Sequence, residues 1–206
     1  MADDIYGELI GCDEMHYSKV TEDSLDKYEA ATPEYLAPVA DISHDTTVNT
    51  SKRHYDNLPR YVDLNEGGTS VKIVISGVPC VLAAKLTGKP YDMEKGLFYD
   101  TGDLSEAPYC TLSGRMDLGG GGYRYFNYLK GKFTLGSQTA RTKEENITVN
   151  TIDLTYEPVV TTHKFKVDSA KTCGVKAVFA DTTDEKFTTA DSWFSKVQTP
   201  PEPAAA

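Results

Sequence analysis

The sequence predicts a mainly β protein: a β-sandwich or barrel with one or two short flanking α-helices and extended loops. Apolar and polar residues alternate over several long runs, whereas only two short segments carry helix signals. Hydrophobic residues make up 39% and aromatic residues 10% of the 206 residues, enough for a packed core. The length suits one domain, residues 1–198, and the Pro- and Ala-rich segment 199–206 is predicted to be a disordered tail.

The clearest strand pattern covers residues 109–118, where Cys110, Leu112 and Met116 alternate with polar residues. In residues 123–135 the second face is also aromatic, at Phe126 and Tyr128, which predicts that both faces of this strand are covered. Further strands are predicted at 69–76, 147–156 and 174–179, and weaker ones at 6–20, 37–55 (in two pieces), 96–100 and 162–167. The apolar phase changes within 147–156, which predicts a β-bulge near Asn150-Thr151.

The connections between these strands are of two kinds. The run Gly119 to Gly122 lacks the Lys-Ser/Thr of a phosphate loop and leads into a strand pattern, which favours a hairpin turn. Segments 22–35 and 136–146 are long and polar, and they are interpreted either as arms or as plain mobile connectors.

Two segments carry helix signals. Residues 78–87 have Pro79 in the first turn and Gly88 where a left-handed residue ends a helix. In the second, Thr188 and Asp191 have capping-box spacing. This second helix would place three apolar residues against a sheet: Trp193, Phe194 and Val197.

Neither the cysteines nor the histidines form a catalytic or metal-binding pattern. Cys12, Cys80, Cys110 and Cys173 are far apart in sequence, with no CxxC pair, and are predicted to be reduced core residues. The four histidines are scattered and are predicted to lie at the surface or at sheet edges. We therefore expect no enzyme activity, no cofactor and no metal site.

The net charge of −10 lies entirely in the first third of the chain. Residues 1–66 hold 15 acidic and 5 basic residues, and the remaining residues are balanced. Such a surface repels phosphates, which argues against nucleic-acid binding. It either serves solubility or faces DNA without holding it. The acidic start Met1 to Asp4 is unlike a signal peptide, and no run is long enough to span a membrane, so we expect the chain to stay on the cytoplasmic side.

In the order of its elements, the chain resembles the major tail tube proteins of long-tailed (siphovirus-type) phages and prophages of Gram-positive bacteria. Four stretches carry the resemblance: Tyr6-Gly7 with the strand ending at residues 17–22, the strand and helix at 70–88, the turn at 142–145 with its following strand, and residues 180–183 with the Trp193 helix. It departs from that pattern at His54 to Asn57 and at Gly119 to Gly122.

The resemblance implies a two-sheet β-sandwich that forms hexameric rings, and rings that stack into a tube. The subunit would be a structural virion protein of the tail, assembled in the host cytoplasm, through which the genome is ejected. Its partners would be copies of itself, the tail terminator, the tape measure and the distal tail protein, with DNA passing through without specific binding and no membrane involved.

Two further expectations concern particular residues. We expect acids of the first third to face the tube lumen, the alternative being the outer wall; the candidates are Asp41, Asp45, Asp56, Asp63 and Glu66. The alternative function is a β-sandwich recognition module, either carbohydrate-binding or a receptor-binding virion protein, with Tyr123, Tyr125 and Tyr128 as an exposed sugar platform.

Overall fold

The computed structural model describes residues 7–138, 151–168 and 171–202, and it is mainly β. Its helices are α1 (Cys80–Thr87) and a 3₁₀ helix, Ala190–Ser195. Its strands are β1 (Leu9–Asp23), β2 (Tyr28–Ala30), β3 (Glu34–Tyr35), β4 (Val39–Tyr55), β5 (Leu58–Ile75), β6 (Tyr91–Asp92), β7 (Leu97–Phe98), β8 (Cys110–Leu118), β9 (Gly122–Gln138), β10 (Ile152–Pro158), β11 (Phe165–Asp168), β12 (Lys171–Cys173) and β13 (Ala177–Asp181). The predicted fold class, mainly β with two short helices, is confirmed.

One antiparallel sheet of nine strands organises the described residues. Its order is β2-β1-β8-β9-β10-β5-β4, with β3 also on β1 and β13 also on β9. Although β3 and β4 pair at opposite ends of this order, only residues 36–38 connect them, a span of at most about 14 Å. The sheet must therefore curl until its two ends approach each other, as in a sandwich or barrel.

The curled sheet encloses the hydrophobic core. Fully buried side chains come from five of its strands: Met15, Val71, Ile73, Leu112, Phe126, Phe133, Leu154 and Tyr156. Leu86 of α1 joins this core from one side. The opposite side of β9 is covered as well, since Tyr125 and Leu129 are buried there. The prediction that both faces of this strand are covered is confirmed.

The predicted secondary structure holds best where alternation is strict. Strand β8 follows the predicted 109–118 within one residue, and Gly120 and Gly121 form the predicted hairpin turn with positive φ angles. Segment 37–55, predicted as two pieces, is one strand of 17 residues, and β5 begins at Leu58 rather than near residue 69. Of the predicted bulge at Asn150-Thr151, Asn150 lies outside the described residues and Thr151 precedes β10; the register of β10 with β9 is irregular between Ile152 and Leu154.

The two helices differ in how well they match their predictions. Helix α1 ends as predicted, at Gly88 with φ 73°, whose N–H bonds to the Ala84 carbonyl. The second segment is a six-residue 3₁₀ helix, and no side chain caps its start. The capping-box prediction for Thr188 and Asp191 is therefore wrong, and Val197 lies beyond the helix because the chain is already extended at Lys196.

A buried ion pair ties the end of β1 to β9 and to the segment before β11. The Lys130 ammonium donates to Asp23 Oδ2 at 2.5 Å, and the backbone N–H groups of Thr162 and His163 donate to the same carboxylate. Burial alone would raise the pKa of Asp23, but these hydrogen bonds outweigh it and hold the pKa below its usual range.

The histidines were predicted to lie at the surface or at edges, and for His163, which is buried, that prediction is wrong.

Candidate functional site: two assembly surfaces

The side of the sheet that points away from the core is polar where β4, β5, β10 and β9 lie next to one another. On β5, Val71 and Ile73 point into the core, so Lys72 points outward. Residues directly opposite each other in a sheet share a face. The register therefore places the following residues on this outer side, called here the polar face: Asp41, Ser43, Asp45, Ser70, Lys72, Val74, Lys132, Thr134, Asp153, Thr155 and Glu157.

The polar face carries more acid than base. Its carboxylates are Asp41, Asp45, Asp153 and Glu157, and its ammonium groups are Lys72 and Lys132. Lys72 lies 3.9 Å from Asp45, both are largely exposed, and such a pair is weak. The face is thus hydrophilic with a negative balance, which disfavours bound phosphate.

The second surface is the outer part of the β4–β5 hairpin, residues 48–66, called here the arm. Every residue from 45 to 66 is exposed. The eight residues from Val48 to Tyr55 extend roughly 27 Å at the rise of a β-strand. The arm therefore stands clear of the core, although it is continuous with two core strands.

Each side of the arm mixes apolar and polar residues. Strand β4 runs regularly through the hairpin, so the side that faces the core at Ile42 and His44 continues outward along the arm. Val48, Val62 and Leu64 lie on that side, with 56, 54 and 70% of their surface exposed, and are called here the apolar stripe; they alternate with Thr50, Lys52 and Glu66. The other side carries Asn49, Ser51, Arg53, Tyr61, Asp63 and Asn65. Three aliphatic residues on the core-facing side thus continue into a part of the hairpin that no other described element covers.

The tip of the arm is a tight two-residue turn. Asp56 and Asn57 both have positive φ angles, 51° and 62°, as a type I′ hairpin turn requires. Asp56 is ion-paired with Arg60 at 3.4 Å, and the ring of Tyr55 packs edge-on against that of Tyr61 at 5.6 Å. These contacts define the tip as an ordered turn.

The base of the arm is bonded to the segment before β13. Lys176 donates to the Glu66 carboxylate and, at 2.7 Å, to the Thr69 hydroxyl. A groove of about 1200 Å³ opens beside this bond, between the base of the arm and β13. On its wall, Arg124 and Asp181 form a two-pronged ion pair with both N–O distances at 2.7 Å. The hydrogen bond from Arg124 holds the pKa of Asp181 below its usual range.

The five predicted lumen acids are all exposed, and all lie on the β4–β5 hairpin. Asp41 and Asp45 lie on the polar face, and Asp63 continues that side along the arm, where it pairs with Arg53 at 2.7 Å. Asp56 lies in the tip turn, and Glu66 lies on the opposite side, bonded to Lys176. The structure therefore places three of the five on one continuous side.

The predicted flanking residues lie against β9. Trp193 is buried, with its ring 5.4 Å from that of Tyr125, and Phe194 stacks on His16 of β1 at 4.5 Å. Val197 is half-buried outside the helix. The segment that carries the single tryptophan therefore covers the outer side of β9 and reaches β1.

The predicted sugar platform does not form. Tyr125 and Tyr128 are 5 and 3% exposed. They lie three residues apart in β9, so their side chains point to opposite sides of the sheet. Tyr123 lies beneath the guanidinium of Arg115, 4.5 Å from its ring centre. A flat aromatic surface for carbohydrate is thus absent from these three residues.

Among the described residues, no group of three His, Cys, Asp or Glu side chains is placed to hold a metal ion. In the same ranges, neither helix has the length and apolar character needed to cross a membrane. The cysteines there are free; Cys110 is buried, whereas Cys80 is exposed, so the core prediction is wrong for Cys80.

No family model matches the chain, and no curated protein is significantly similar to it.

Proposed function

We propose that this chain is a structural subunit that assembles with copies of itself into stacked rings forming the wall of a tube. The observation that carries the proposal is the apolar stripe on the core-facing side of the arm. Val48, Val62 and Leu64 continue the core-facing side of two strands into solvent. Exposed aliphatic side chains, on a hairpin that no other element of the described residues covers, suit contact with a second copy.

The shape of the arm supports the same conclusion. A lone two-stranded hairpin is marginally stable in water and needs a third strand or another packing partner. Within the described residues, β4 has no strand partner on its outer edge. A neighbouring copy that pairs with this edge or packs on the apolar stripe would complete both the hydrogen bonding and the burial, and it would protect the edge from uncontrolled association.

The polar face provides a surface for the inside of the tube. It lies on the side of β4, β5, β9 and β10 opposite the core, and its carboxylates outnumber its ammonium groups by four to two. In a ring, this excess is multiplied by the number of copies, and a negative lumen lets DNA move without sticking. Under this proposal, Asp41 and Asp45 are lumen residues.

The role that follows is that of a tail tube subunit of a long-tailed phage, with hexameric rings, DNA in transit and no catalytic site. Two cations of the groove support a structural role, because Arg124 and Lys176 are each committed to an ion pair. The other tail components named by the resemblance, the terminator, the tape measure and the distal tail protein, are its proposed partners.

Electron microscopy of the purified protein over a range of protein and salt concentrations tests this proposal. We expect hollow rings or tubes that assemble more readily as protein concentration rises, and tubes that do not retain added DNA at moderate salt. A protein that stays monomeric under all these conditions would overturn the proposal, and so would closed particles without a channel.

A further inference from the structure

Strand β13 lies in line with β10 along one edge of β9. β8 occupies the opposite edge of β9 as far as Gly131. β13 pairs with the part of β9 from Arg124 to Tyr128, and β10 pairs with β9 from Gly131 onward, so both must use the edge that β8 leaves open. β5 pairs with the far edge of β10. The outer half of β5, in the arm, therefore continues past the end of β10 and runs beside β13.

The strand registers give the level of each arm residue along β9. At the end of β10, Pro158 lies opposite Gly131, and the β5 register continued to that level gives Thr69. Two positions further toward the tip of the arm, β9 has Tyr128 and β5 has Glu66, because both strands carry one extra residue in this interval. The two irregularities cancel, so Glu66 and Tyr128 lie level.

This alignment sets two exposed apolar side chains opposite each other. Ala177 of β13 pairs with Tyr128 and so is level with Glu66; two residues further along, Phe179 is level with Leu64. Both side chains lie on the core-facing side of their strands, and Phe179 lines the groove between β13 and the arm. Phe179 is 53% and Leu64 70% exposed. Each would be covered if the two strands met.

The edge of β13 that faces the groove offers its backbone for pairing. The Thr182 N–H donates to the Tyr123 carbonyl, and the Leu129 N–H donates to the Lys176 carbonyl. Because successive residues of an antiparallel strand bond to opposite sides, the N–H and C=O groups of Phe179 point away from β9 and into the groove. Among the described strands, β13 has β9 as its only partner. The groove edge of β13 is therefore an open sheet edge.

A glycine bulge forms the hinge between the arm and the rest of β5. Thr47 of β4 alone faces both Gly67 and Gly68 of β5, and a bulge of this kind bends a strand. Lys176, directly before β13, donates to Glu66 on the arm side of the bulge and to Thr69 on its core side. The base of the arm is thus already held beside the first residue of β13, and the part beyond it is free to change its angle at the glycines.

We propose that the arm has a closed position, in which it bends at Gly67-Gly68 and its β5 strand adds to the open edge of β13, with Leu64 packed on Phe179. Pairing starts from the Lys176 contact and proceeds toward the tip. The closed arm supplies partners to the backbone of Phe179 and covers two apolar side chains, so a lone subunit protects its own edge. Assembly then requires the arm to open; this consequence rests on the proposed function, whereas the closed position itself does not.

Disulfide trapping in the full chain, diluted until it is monomeric, tests the closed position. Residues opposite each other in a strand pair have Cα atoms about 5.5 Å apart, a distance that a disulfide spans. Leu64→Cys with Phe179→Cys changes two exposed sites and leaves the core intact. In a Cys80→Ser background, which removes the exposed native cysteine, this pair should form a disulfide within the chain on mild oxidation. Asn65→Cys with Phe179→Cys is the matched control, since residue 65 lies one position along and on the other side of the arm, and it should form about tenfold less.

Mass spectrometry of the digested, unreduced protein identifies which residues are linked. Three results would overturn the closed position: a Leu64→Cys variant pair that forms no more disulfide than the control, equal and extensive disulfide in both, or a link that joins only residues of two different chains. The last result would assign the edge of β13 to a second copy. Trapping is measured on monomers, so failure to form tubes would overturn the proposed function and leave the closed position to be decided by the disulfide.

Discussion

The ring of Tyr156 lies directly against the backbone of Gly131. A Cβ atom at position 131 would stand 2.5 Å from Cζ of that ring and 2.6 Å from the Glu157 carbonyl oxygen. The ring is held there, because its hydroxyl donates to the Cys110 carbonyl at 2.8 Å and its face packs on Phe133 at 4.7 Å. The close approach of β9 and β10 therefore requires glycine at this position.

Gly131→Ala should destabilise the protein by about 3 kcal/mol, because the methyl group forces a buried tyrosine out of a packed position. Gly68→Ala is the matched control: it lies in β5 with nothing within 4 Å of the added atom, and it should change stability by less than about 0.5 kcal/mol. Urea unfolding at pH 7 measures both. Equal urea midpoints for the two variants would contradict this prediction, because they would show that the core around Tyr156 rearranges to accommodate the methyl group.

Asp23→Asn should cost on the order of 3 kcal/mol at pH 7, because it leaves the Lys130 ammonium, 13% exposed, without its counter-charge. Asp26→Asn, on the exposed neighbouring loop, is the control and should have little effect. The pKa of Asp23 is lowered in the folded state, so its stabilisation is present above the ordinary carboxyl pKa and is lost as pH falls through the folded value.

The difference between wild type and Asp23→Asn should therefore be constant near neutrality and shrink below about pH 4. Urea midpoints measured at pH 7, 5 and 3 follow this course. A difference that grows on acidification would mean that the carboxylate destabilises the fold, contrary to the hydrogen bonding seen around it.

Reversing two acids on the polar face, Asp41→Lys with Asp45→Lys, should leave assembly intact and make the assembled tubes retain DNA at low salt. The reason is that the net charge of the polar face changes from −2, with four carboxylates and two ammonium groups, to +2, with two carboxylates and four ammonium groups. The control is Glu94→Lys with Glu106→Lys, an equal charge change at two exposed sites away from this face. Co-sedimentation of short DNA with tubes distinguishes them, and equal retention by both variants would place Asp41 and Asp45 outside the lumen.

Strict alternation in the sequence was sufficient to predict the strands that surround the core. β8 and β9 were predicted nearly to their ends because apolar residues recur at alternate positions along them, although residues 110–114 and 125–129 are buried on both faces. The β4 half of the arm lies within the predicted segment 37–55, whereas the β5 half, residues 58–66, was missed. All of its residues are exposed, so no alternation between buried and exposed positions marks it as a strand, and Pro59 and the Gly67-Gly68 pair resemble loop residues. The signal that could have found it is Asp56-Asn57, a turn pair between two extended runs.

The remaining errors have their origin in long-range contacts. His163 is buried, and the acceptors at its ring nitrogens are the Leu25 carbonyl, 138 residues before it, and the Glu202 carboxylate, 39 residues after it. No local pattern in the sequence predicts such distant contacts. The Trp193 segment forms a 3₁₀ turn because packing on Tyr125 and His16, and not a capping box, determines its shape. For the five candidate acids, the position along the chain predicted that they are exposed. Only the register of β4 and β5 shows on which side of the sheet an acid within the strands lies.

The most direct test of assembly through the arm is sedimentation velocity of Val48→Ser with Leu64→Ser, compared with Asn49→Ser with Asn65→Ser. Both pairs change two exposed residues on the same two strands, on opposite sides of the arm. Each lost apolar side chain removes about 1.5 to 3 kcal/mol of burial per copy. The apolar pair should therefore need at least about a hundredfold more protein to assemble. Its melting temperature as a monomer should be unchanged, and the polar pair should assemble as wild type does. Assembly of the apolar-side variant at the wild-type concentration would contradict the account.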